Sequence, residues 1–157
     1  MRLALREPDM RSMPIQWVPG ITHTLRQKML QVFMLDSVSL RDEMQTPSIR
    51  QSLVVCTGYK ARDFFMARSK GASESDSGWF VGCLDGEHDH NDPGNLRCVS
   101  LYEAYLGQRG IQGFVTFPEG TAVVVDSTNG LSILREGEPL GIVRGGFLDS
   151  WFQHGRK

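Results

Sequence analysis

The spacing of apolar positions changes character near Pro47. Upstream, Leu25, Met29, Val32 and Phe33 recur at steps of four, three and one, which predicts a helix with one apolar face. Thr22 or Thr24 suits its N-cap, and Arg26 and Lys28 are expected toward solvent. A second short helix is expected over 39–45, where Asp42 follows Ser39 by three residues and Pro47 ends the run. Residues 1–20 hold three of the seven prolines and no sustained periodicity. They read as an extended or poorly ordered arm able to fold back through Ile15, Trp17 and Val18.

Downstream, short apolar runs take over. Strands are expected over 53–56, 64–67, 79–83, 114–117, 122–126 and 131–134, with Asn129-Gly130 as a hairpin turn. Ser100-Leu101-Tyr102-Glu103 is a capping box that opens a helix closing near Gly107. Residues 147–152 suit a short docking helix or strand. The pattern gives one α+β domain: N-terminal helices, then a mostly antiparallel sheet with one inserted helix. Its parts are the arm (1–20), a helical segment (21–49), a core (50–140) and a C-terminal segment (141–157).

With 157 residues, 40% hydrophobic and 22% charged, the composition is that of a single globular domain. The net charge of -1 hides a polarised layout. Residues 1–70 carry eleven Lys and Arg against six Asp and Glu, whereas the remainder carries six against twelve. Residues 71–96 contain no Lys or Arg, yet hold Glu74, Asp76, Asp85, Glu87, Asp89 and Asp92 together with His88 and His90. Such a segment suits a basic protein partner better than nucleic acid or a membrane surface. The N-terminus is too charged for a secretion signal, no apolar run approaches a membrane span, and three cysteines cannot all pair. A cytoplasmic protein with buried free thiols is expected.

Residues 85–92 mix carboxylates and imidazoles that could hold zinc or another divalent ion, but the spacing fits no standard motif. Position six of a calcium loop would be His90 rather than glycine, and position twelve Leu96 rather than glutamate. No metal or cofactor is therefore expected. Cys56 and Cys83 would act as nucleophiles only if a histidine approached them in the fold, and burial as small apolar residues is the expectation. No nucleophile elbow or phosphate-cradling glycine loop is present, so no catalytic set is assigned.

The order of motifs resembles the thirty-third immunity-protein family of bacterial polymorphic-toxin systems. The series is Val54-Val55-Cys56, Phe65-Met66-Ala67-Arg68, Asp76-Ser77-Gly78-Trp79, an acidic region at Asp85, Asp92-Pro93-x-Asn95 and Pro118-x-Gly120-Thr121-Ala122. It spans residues 50–140, while the basic first fifty residues and the His88/His90 pair have no counterpart in the family's pattern. The resemblance implies a non-enzymatic inhibitor of a toxin delivered between bacteria, as by type VI secretion, and encoded by the adjacent gene. A nuclease acting in the cytosol is the expected partner. On that reading Glu74, Asp76, Asp85, Glu87, Asp89 and Asp92 engage basic groups of the toxin, with His88 in the same loop. Trp79 and Tyr102 supply the apolar anchors. The alternatives are a small metal-dependent enzyme built on the His88/His90 loop, or a regulatory module whose acidic loop docks on its own basic N-terminal half.

Overall fold

Each strand of the central sheet follows from the alternation of its side chains, one set inward and the next toward the opposite face. The computed structural model describes residues 4–154, with side chains through Ser150. A small antiparallel hairpin of β1 (Arg6–Pro8) and β2 (Trp17–Pro19) precedes helix α1 (Thr22–Asp36). Then come β3 (Ser52–Cys56), β4 (Phe64–Arg68), β5 (Asp76–Cys83), β6 (Leu96–Ser100) and helix α2 (Leu101–Gly107). Strands β7 (Thr121–Asp126), β8 (Gly130–Arg135) and β9 (Glu138–Pro139) and helix α3 (Phe147–His154) complete the chain. The seven-stranded sheet runs β6-β3-β5-β4-β7-β8-β9, and only its β3–β5 pair is parallel. The fold is α+β with a mostly antiparallel sheet, as the apolar pattern predicts.

Registry places Val55, Val81, Met66, Val123 and Ile133 in one row across five strands, and none is more than 3% exposed. Burying each such side chain stabilises by roughly 1.5–3 kcal/mol, so this row anchors the sheet. Trp79, Phe64 and Leu53 extend the same inner face, joined there by Tyr102, Phe114 and Phe117 from the α2 region. At the start of α2 the Ser100 half of the capping box forms, its hydroxyl accepting the Glu103 N–H.

Several local expectations give way. Residues 114–117 form a turn after the 3-10 segment Arg109–Gly113 rather than a strand, and their apolar side chains fill the core from there. Only a 3-10 turn, Arg41–Glu43, occupies the place of the second helix, and Ser39 takes a positive φ of 60°. Helix α1 is present but rotated. It buries Gln31, Met34 and Leu35, leaving Leu25, Met29 and Phe33 exposed and Lys28 half-buried. Its C-terminal half carries apolar residues on more than one face (Met29, Leu30, Val32, Phe33, Met34 and Leu35), so tertiary packing rather than periodicity selects the inward one.

The N-cap of α1 is Ile21, with no side-chain cap from either threonine. Instead the Glu7 carboxylate on β1 accepts the N–H groups of His23 at 3.2 Å and Thr24 at 2.7 Å. The arm is thus an ordered hairpin from residue 4 onward, with Met10 buried in the core; Trp17 and Val18 lie exposed while Ile15 packs inward. Residues 147–152 fall within α3, and the Phe147 ring stacks on Phe33 with centroids 5.8 Å apart. The Trp151 side chain lies outside the described part.

Candidate functional site

Parallel neighbours β3 and β5 finish at the same end of the sheet, so their last residues, Cys56 and Cys83, come side by side. The Cys83 N–H donates to Cys56 Sγ at 3.2 Å. From there the chain must reach β6, which lies on the far side of β3 and runs antiparallel to it. Residues 84–95 therefore cross over the end of β3, and this crossing carries His88 and His90 above both thiols.

The four side chains meet. One ligand-type atom from each of Cys56, Cys83, His88 and His90 lies within 4.8 Å of all the others. Cys83 Sγ is 3.8 Å from His88 Nε2 and 3.7 Å from His90 Nε2. The imidazoles meet at a centroid distance of 4.7 Å, and Phe65 and Phe80 fix His90 by edge-to-face contacts at 5.4 and 6.1 Å. Both thiols are buried and both histidines half-buried. Gly58, in the turn after β3, is the floor of the cluster. A methyl group there would stand 2.8 Å from Cys83 Sγ and 3.3 Å from His88 Cε1. Burial and the Cys56 thiol push the Cys83 thiol up from its ordinary pKa, with the Asp85 backbone N–H pulling the other way. A thiol so buried and so raised is the reverse of an activated nucleophile.

The spacing of His88 and His90 fits no standard metal motif on its own, and the fold adds to the pair two side chains distant in sequence, Cys56 and Cys83. Both are buried, as small apolar residues would be, yet both stand beside imidazoles. Two cysteines ending apolar runs before a histidine pair was the signal available. What the sequence hid was that their strands are parallel neighbours.

The carboxylates of the loop lie outside this cluster. Asp85, Glu87, Asp89 and Asp92 are all exposed, as is Glu74 in the preceding turn. Two ion pairs occur among the described residues, Arg41–Asp36 and Arg135–Glu43, and neither involves these five. Asp89 and Asp92 shape the loop: Asp89 Oδ1 accepts from Asn91, Asp92 Oδ1 accepts the Gly94 N–H, and Asn95 donates to the Asp89 carbonyl. The side chains of Glu74, Asp85 and Glu87 accept no hydrogen bond among the described residues.

Three residues expected at a partner interface are committed to the fold instead. Trp79 is 2% exposed, its indole N–H donates to the Val115 carbonyl at 3.0 Å, and the Arg68 guanidinium lies over its ring. Tyr102 is fully buried, its hydroxyl shared between Asp9 Oδ1 at 3.1 Å and the Ser12 carbonyl at 3.0 Å, which ties down the arm. Burial and the Asp9 carboxylate hold that phenol above its ordinary pKa. Asp76 is half-buried and accepts the N–H groups of Ala72 and Gly78, one on each oxygen. Strand alternation and turn geometry thus account for the Asp-Ser-Gly-Trp segment without an external partner.

No helix among the described residues is long and apolar enough to cross a membrane. No protein-family model matches the chain, no curated protein matches it, and no solved structure matches it.

Proposed function

We propose that this protein is a cytoplasmic immunity-type inhibitor that neutralises a toxin by binding it stoichiometrically. The observation that carries this reading is the loop between β5 and β6: Asp85, Glu87, Asp89 and Asp92 project to solvent from one short segment, outside both ion pairs of the described residues. Anchoring to β5, β6 and the end of β3 limits the entropy lost when a partner docks. The partner it fits is a protein with a Lys/Arg-lined cleft, such as one that holds nucleic-acid phosphates. The ordered series of motifs from Val54 to Ala122, with its resemblance to an immunity family, supports the same reading and points to the adjacent gene for the toxin. Apolar contact would come from residues other than Trp79 and Tyr102, both of which are buried.

The test is a pull-down and binding titration against the product of the adjacent gene. Tight one-to-one binding is expected, with association slowing as salt rises. The Glu87→Lys, Asp89→Lys double variant should lower the association rate on the order of tenfold while keeping the parent melting temperature. Binding that ignores both salt and charge reversal would remove the acidic loop from the interface. Absence of binding would remove the inhibitor reading itself.

A further inference from the structure

We propose that Cys56, Cys83, His88 and His90 form a closed four-ligand zinc site that pins the β5–β6 loop to the end of the sheet. Geometry carries the assignment. Zinc bonds of about 2.3 Å to sulfur and 2.0–2.1 Å to nitrogen, at tetrahedral angles, separate sulfur from nitrogen by about 3.6 Å. The structure holds Cys83 Sγ 3.7 and 3.8 Å from the two Nε2 atoms, with the complete set inside 4.8 Å. Two thiols and two imidazoles at such distances gain little from one another as hydrogen-bond partners. Around a common ion the two Cys83–imidazole separations are the natural ones, and the widest separation in the set would close by about 1 Å on binding.

Donor chemistry selects the ion. Two sulfurs and two nitrogens suit zinc and disfavour calcium or magnesium, which require oxygen. Both cysteines bind as thiolates, releasing two protons to solvent, and two neutral imidazoles complete a centre with no net charge. One backbone group is already arranged to support a sulfur: the Cys83 N–H points at Cys56 Sγ. The side-chain-free backbone of Gly58 leaves room for the cluster. Four protein ligands leave no open coordination position, so the role is structural. The exposed acidic residues Asp85, Glu87, Asp89 and Asp92 flank or alternate with the histidines, so the ion would set the shape of the acidic surface. The site stands whether or not that surface binds a toxin.

The test uses tag-free full-length protein, grown with added zinc and dialysed against a weak chelator, with metal counted by mass spectrometry. About one zinc per chain is expected for the parent and for Cys98→Ser, whose exposed thiol lies outside the cluster. Less than about a tenth of that should remain in Cys83→Ser and His90→Asn. His88→Cys, which keeps four competent ligands, should retain the metal, separating loss of a ligand from loss of fold. Cobalt(II) added to apo-protein should give the intense visible bands of a tetrahedral thiolate site, and stripping zinc should lower the melting temperature by more than about 5 °C. Zinc well below one per chain in the parent together with no tetrahedral cobalt spectrum would overturn the proposal. So would equal zinc in Cys83→Ser, or a Cys56–Cys83 disulfide in the protein purified without oxidant.

Discussion

Gly78 shows how much of the Asp-Ser-Gly-Trp segment is architecture. Its φ of +76° belongs to the left-handed region, and the Ser69 carbonyl fills the space a Cβ would need. Gly78→Ala should therefore destabilise by at least about 2 kcal/mol in chemical denaturation, from strain plus the displaced backbone. Next to it, Trp79→Phe leaves the Val115 carbonyl without its donor in a dry core, which should cost about 1–3 kcal/mol without altering the acidic surface. The four letters were legible in the sequence, but their role was not. A tryptophan between glycine and phenylalanine reads equally as anchor or core until strand registry shows which face it occupies. The same holds for Tyr102, whose acceptors, Asp9 and Ser12, lie some ninety residues away in the chain.

Among the elements, those with purely local causes were the legible ones. The N-cap at Ser100, the β7–β8 hairpin and the apolar runs of β3, β4, β5, β7 and β8 formed close to where the spacing placed them, although the turn is 127–129, with Gly130 alone at positive φ and already paired in β8. Helix α1 marks the limit, because its cap comes from Glu7 on another element and its inward face is chosen by what packs against it. That cap has a pH signature. The backbone N–H of Thr24, and then that of His23, hold the Glu7 carboxyl below its ordinary value of 4.5 against the opposing effect of burial. A lowered folded pKa means the stabilisation is complete above the unfolded value and fades as pH falls through the folded one. Glu7→Gln should melt lower than the parent at neutral pH, and the gap should narrow below about pH 4. A gap constant across that range would show that Glu7 stabilises by something other than its charge.

For the whole molecule, charge polarity was legible and the cluster at the end of the sheet was not. The acidic stretch is a run in the sequence, so counting found it. The four-residue cluster joins Cys56 to a loop more than thirty residues later, through a parallel strand pair that no local pattern announces. A single topological fact, the crossing of β3 by the β5–β6 connection, both collects the thiols and imidazoles and raises the carboxylates into solvent. Gly58→Ala tests the dependence of one on the other. The added methyl should push Cys83 and His88 apart, lowering zinc affinity and quickening amide exchange in residues 84–95, while the exchange of β7 and β8 stays as in the parent.

On the proposed function, the acidic crossing loop is the face a cationic protein grips. Hydrogen exchange of the full-length chain, followed by mass spectrometry with and without the adjacent gene's product, reads this directly. Slowed exchange concentrated in residues 84–95 is expected on complex formation. Protection confined to the exposed side of α1, around Leu25, Met29 and Phe33, with residues 84–95 unchanged, would contradict it.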